Sequence, residues 1–273
     1  MNTLPIGPVV DTKPAPPPGA VTLPGRFAIV EKLDPARHGE SLWQALKDDE
    51  AVWVYMGYGP FADRAAFDAW LAARAAATDP FAYAVIDKAS GRALGSITLM
   101  EVRPAMRVIE MGNIVYAPAM QRTAASTEAQ YLAARYVFDD LGYRRYEWKC
   151  NALNAPSRSA ALRLGFTYEG VFRQHMIIKG RNRDTAWFSM LDTEWPAIKA
   201  AFESWLAPSN FDSAGRQIAG LTELREKERK NESSERETRL HHRRRSRHRQ
   251  GHGVGFRCRG RRGHRYRSQA AVA

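Results

Sequence analysis

The chain has 273 residues, 44% of them hydrophobic, enough to bury a core in one large domain or two small ones. Its formal charge of +12 lies at one end: residues 216–273 hold 18 Lys and Arg against 6 Asp and Glu, while residues 1–215 balance at zero, so the basic excess says nothing about a site in the body. Two cysteines, Cys150 and Cys258, exclude a disulfide framework, and no apolar run approaches the ~18–20 residues of a membrane span.

The start, Met1-Asn2-Thr3-Leu4-Pro5, has no charged-then-apolar leader pattern, and the expected setting is a reducing cytoplasm. Residues 1–25 are proline-rich, with Pro14, Pro16, Pro17, Pro18 and Pro24, and read as an extended arm, lying across the domain or loose. Residues 26–31 read as a strand. Asp34-Pro35 then opens a helix whose Leu42, Trp43 and Leu46 fall at helical spacing. An aromatic loop, 52–61, precedes a helix over 62–77 with Phe67, Trp70 and Leu71 on one face.

Strands follow at 81–87, 93–102 and 107–116, the first two joined by the turn Lys88-Ala89-Ser90-Gly91. A long helix, 123–141, is closed by Gly142. A strand at 145–150, a helix at 157–164 ended by Gly165, a hairpin of 166–179 with 185–191 around residues 180–184, and a last helix at 194–206 complete the order. Strands interleaved with helices on a mostly antiparallel sheet make an α+β fold. The domain is expected over 26–206, with a basic, disordered tail over 207–273.

Three stretches carry chemistry: Glu110-Met111-Gly112-Asn113-Ile114-Val115-Tyr116; Gln121-Arg122-Thr123-Ala124-Ala125-Ser126-Thr127; and Asn154-Ala155-Pro156-Ser157 running to Leu164-Gly165-Phe166. A strand, a tight turn and a helix present unpaired amides and the positive end of a helix dipole, which suits a pyrophosphate. In their order these stretches resemble the GNAT superfamily, nearest the branch of ribosomal-protein alanine N-acetyltransferases. The family pattern Gln/Arg-x-x-Gly-x-Gly/Ala stands here as Gln121-x-x-Ala124-x-Ser126, with alanine and serine where small glycines are usual. Backbone donors survive that change if φ at 124 stays negative.

The resemblance implies acetyl-coenzyme A as co-substrate and a primary amine, on a small molecule or a protein N-terminus, as acceptor. Gln121 through Thr127 would hold the pyrophosphate, with hydroxyls of Thr123, Ser126 and Thr127 adding donors. Backbone groups of Ile114, Val115 and Tyr116 on a bulged, splayed strand would bind the pantetheine arm, and Asn154 its amide. Glu110 stands where several members place a catalytic base, among apolar neighbours that would raise its pKa; an edge-facing or salt-bridged glutamate is the plainer reading. Ser157 matches the position of the thiolate's proton donor, although Asn154–Ser157 is also a good helix start.

Trp53, Tyr55 and Tyr58 border the acceptor pocket in that fold, or else pack helices on the sheet. Residues 181–184 form a solvated hairpin tip with a lesser prospect of meeting the acceptor. His38 and His175 have no ligand partners at metal spacing, so no metal site is expected. An alternative keeps the fold without the catalysis and gives the run His241–Arg249 to nucleic acid, through phosphates; the tail's abrupt onset equally matches an unselected extension read in a shifted frame.

Overall fold

The computed structural model describes residues 4–231. Met1–Thr3 and residues 232–273, with Cys258 and the His241–Arg249 run, lie outside the described residues.

Eight strands form one sheet in the order β1-β2-β3-β4-β5-β6-β8-β7. They are β1 (Thr22–Pro24), β2 (Ala28–Lys32), β3 (Phe81–Asp87), β4 (Arg92–Arg103), β5 (Val108–Tyr116), β6 (Arg145–Asn151), β7 (Thr167–Ile178) and β8 (Arg181–Leu191). Every pairing is antiparallel except β5 with β6. The helices are α1 (Pro35–Leu46), α2 (Arg64–Ala76), α3 (Ala124–Arg135), α4 (Ala155–Leu164) and α5 (Trp195–Leu206). This is the expected α+β architecture.

Local chemistry sets the ends. Asp34 and Asp63 cap α1 and α2, each accepting an amide of the first turn at 2.9 Å. Gly165 closes α4 at φ 111°, where its missing Cβ also leaves room for Ile198. α1 packs on β4 and against α2, whereas α3 packs on β2 and against α5. Deep in α3, Glu128 accepts the amides of Arg26, Phe27 and Ala28 at 2.7, 2.5 and 2.7 Å, which ties the entry to β2 onto the helix. Nothing in the local pattern around Glu128 marks that long-range role.

Of the two readings of the N-terminal arm, the one that lies across the domain holds: β1 joins the sheet, Ala15 is buried, and Gly19 bonds both Tyr83 and Tyr136 hydroxyls. Two expectations are corrected. The tail does not begin at 207. Phe211 rings against Phe27 and Trp205, Asn210 is buried, Leu221 is 1% exposed, and residues 221–231 are helical. Those few apolar anchors offset the ordering cost that the charged composition alone could not. The hairpin turn is shorter than five residues, because Lys179 and Gly180 both take left-handed backbone (φ 48° and 70°), as a two-residue turn between twisted strands requires. Arg181–Asp184 therefore belong to β8.

Candidate active site

The centre of the sheet opens. β5 and β6 are paired only from Val108↔Arg145 to Met111↔Trp148. Past that point β6 stays with β8, through Lys149↔Trp187 to Asn151↔Thr185, while β5 stays with β4. The edge of Gly112–Tyr116 that turns toward β6 is left without a strand partner. A bulge accompanies the divergence: Thr98 faces Gly112 but Ser96 faces Val115, so β5 carries one extra residue. Asn113 takes it up at φ 48°, a conformation asparagine tolerates better than most side chains. Its amide donates to Thr98 Oγ1 at 3.1 Å, and its Oδ1 accepts from the Tyr58 hydroxyl at 3.3 Å.

Beyond β5 the chain turns tightly at Ala117–Gln121, with Met120 N bonded to Ala117 O at 2.8 Å. Arg122 takes the left-handed step (φ 60°), which leaves Ala124 on ordinary negative-φ backbone. Thr123 caps α3 by accepting from Ser126 N at 3.1 Å, and the first helical bond is Thr127 N to Thr123 O. The amides of residues 122–125 thus find no acceptor among the described residues, at the positive end of a helix beside the strand opening.

The hydroxyls do not join them. Ser126 and Thr127 both donate to Thr123 O, and Thr123 donates to Met120 O, so these protons are spent within the turn. Gln121 Nε2 donates to Tyr116 O at 3.0 Å and braces the strand end against the turn. The Tyr116 side chain accepts from Gln130 Nε2 and fills the space over Gly95, where a Cβ would lie 2.4 Å from its ring.

Across the opening, Asn154 caps α4 through Oδ1, which accepts from Ser157 N at 3.1 Å, leaving its Nδ2 unused among the described residues. Ser157 Oγ accepts from the Trp148 indole at 3.1 Å and lies in hydrogen-bond reach of Cys150. Burial pushes the neighbouring Cys150 thiol up, partly countered by a hydrogen bond with Ser157.

Glu110 is 5% exposed and lies on the face of the sheet opposite Tyr146, Trp148 and Cys150. Lys149 Nζ stands 2.7 Å from its carboxylate. Burial holds Glu110 above the usual carboxylate range, with Lys149 pulling the other way. Directly opposite, in register, is Glu147. Burial would raise it too, but Arg145, Lys149 and Arg103 outweigh that and hold it low.

The aromatic loop is divided. Trp53 is 2% exposed, locked edge-on against Tyr58, Phe61 and Trp70, and is a core residue, not a pocket wall. The short 3-10 turn at Ala51–Trp53 aims it inward, which sequence spacing does not reveal. Tyr55 reaches Leu153 O with its hydroxyl at 3.2 Å, bridging the loop to the start of α4. Tyr58 touches the bulge, and burial raises its phenol to about 12. His38 sits between Asp34 N and Glu31, and His175 on Thr185; among the described residues no group of three or more His, Cys, Asp or Glu could hold a metal.

A family model described as an acetyltransferase (GNAT) domain matches residues 29–167, just over half of the chain. The chain belongs to the GNAT acetyltransferase family. Members of that family take acetyl-coenzyme A as acyl donor. Among solved structures, a GCN5-related N-acetyltransferase from Brucella melitensis is 51% identical, with 78% of this chain and 98% of that one covered and a TM-score of 0.77. An acetyltransferase of the GNAT family from Chromobacterium violaceum is 40% identical over 71% and 100% of the two chains, with a TM-score of 0.65. A ribosomal L7/L12 alpha-N-protein acetyltransferase in complex with coenzyme A shares the fold at 14% identity and a TM-score of 0.55, covering 63% of this chain and 98% of that one. No curated protein sequence matches the chain. No helix among the described residues is long and apolar enough to cross a membrane.

Proposed function

We propose that this GNAT enzyme transfers the acetyl group of acetyl-coenzyme A directly to a primary amine, with Glu110 as the base and Ser157 as the proton donor to the departing thiolate. The observation that carries the reading is the coincidence of two open features: the unpaired half of β5 and the unpaired amides at the start of α3. The first offers backbone groups of Ile114 and Val115 to an amide-bearing arm. The second offers amides of residues 122–125 to a pyrophosphate. Alanine at 124 fits, because the left-handed step falls on Arg122.

The amine must be neutral to attack. In the step, its nitrogen bonds to the thioester carbon, Glu110 takes the proton the nitrogen then sheds, the carbon–sulfur bond breaks, and the departing thiolate takes a proton from Ser157; solvent then reprotonates Ser157 and accepts the proton held by Glu110, which resets both groups. A β5 amide facing the opening would stabilise the developing oxyanion. A carboxylate raised by burial holds the captured proton more firmly than an exposed one would, yet loses its basic form at a higher pH as the solution is acidified. Tyr55 and Tyr58 would border the acceptor.

The test is thiol release from acetyl-coenzyme A across a panel of amines: peptides with free N-termini, polyamines, aminoglycosides and amino acids. Release with at least one acceptor, at a rate that falls on acidification, is expected. Silence across the panel, together with no thermal shift at millimolar acetyl-coenzyme A, overturns the reading.

A further inference from the structure

Lys149 has no place in the chemistry described so far, yet it occupies a restricted position. Its stem comes from the first residue of β6 beyond the last β5 pair, so it stands at the fork of the opening. Its side chain is 13% exposed, and its ammonium lies 2.7 Å from Glu110, 3.4 Å from Glu147 and 4.1 Å from the centre of the Trp187 ring. Trp187 holds the cation against its face, and Glu147 is already neutralised by Arg145 and Arg103, each at hydrogen-bond distance. That leaves Glu110 as the carboxylate for which Lys149 is the sole ion-pair partner among the described residues.

From this arrangement, and resting on Glu110 as the base, we infer that Lys149 is a positioning residue that fixes the Glu110 carboxylate at the mouth of the opening and keeps it ionised for proton capture. The other charged groups that bear on Glu110 are Glu147 on β6, Glu101 on β4 and Arg183 on β8. Two of these three are anions and push Glu110 toward the protonated form, along with burial. Without a cation in contact, a buried carboxylate beside a second carboxylate would be protonated through much of the working pH range and could not accept a proton.

The experiment compares the acidic limb of the kcat/KM–pH profile in the full-length enzyme, Lys149→Gln and Lys149→Arg, with the Glu110 carboxyl followed by 13C NMR in the same samples. Lys149→Gln should move both the limb and the carboxyl titration upward by about one to three pH units, the range typical of a lost opposite charge at this distance. On the acid side of the shifted limb, the rate then falls about tenfold for each unit moved. Lys149→Arg should restore most of it. A limb and a titration that stay in place in Lys149→Gln overturn the inference, as does Lys149→Arg shifting as far as Lys149→Gln. Glu110→Gln separates this from failure of the parent reading: if that variant keeps full activity, Glu110 is not the base, whatever Lys149 does to its titration.

Discussion

The two halves of β5 behave as different structures. Val108–Met111 lies between β4 and β6, paired along its length with β6 and, across an irregularity between Met100 and Arg103, with β4, and Ile109 and Met111 are in the core. Gly112–Tyr116 keeps one partner and loses the other, across a bulge at Asn113. The first half gives rigidity and carries Glu110. The second gives unpaired backbone beside the open end of α3. The difference teaches that the opening is made by withholding strand hydrogen bonds at one place in a sheet that satisfies them elsewhere, so the backbone there needs water or a bound molecule as its partner.

Substitutions that fill the open half should hurt binding, and those in the closed half should hurt chemistry or the fold. The largest effect is expected from Ala124→Phe, which puts a ring over the amides of α3: acetyl-coenzyme A binding should vanish in calorimetry while the melting temperature holds, since Ala124 is only partly buried. If binding survives, the α3 terminus is not the anion site. Glu110→Gln should leave acetyl-coenzyme A affinity intact and cut kcat by about 10²–10⁴-fold, the usual contribution of a positioned base. An affinity loss of similar size would blur the two halves into one.

Trp53→Ala should cost roughly 3–5 kcal/mol of stability in denaturant unfolding, as for a large core aromatic, whereas Tyr55→Phe should barely move the midpoint and act on the acceptor KM. Asn154→Ala should cost about 1 kcal/mol from the lost cap, with a higher KM for acetyl-coenzyme A if the free Nδ2 serves the arm. A KM unchanged in that variant would confine Asn154 to capping.

Much of this was legible in the sequence because it is local. Alternation marked β3, and capping and proline signals located α1 and α4, with Gly165 ending the latter. The motif around Gln121 located the turn, and the family resemblance anticipated the bulge, which the residues 112–116 do not announce by themselves. What stayed hidden depends on register or on distant partners. Lys149 meets Glu110 only because parallel pairing sets Glu110 opposite Glu147. Trp53 looks like a pocket aromatic until the 3-10 turn buries it. The hydroxyls of Thr123, Ser126 and Thr127 read as donors to a ligand, but each finds a carbonyl one turn away. Leu221 and Leu224 draw a charged stretch back onto the domain, and two leucines among charges carry almost no signal.

The most direct measurement is an amide 1H–15N titration of the enzyme with acetyl-coenzyme A. The amides of residues 122–125 and of Ile114–Tyr116 should shift together and saturate at one stoichiometric equivalent, while those of Val108–Met111 stay nearly still. Saturable shifts elsewhere with residues 122–125 unmoved would contradict the account at its centre.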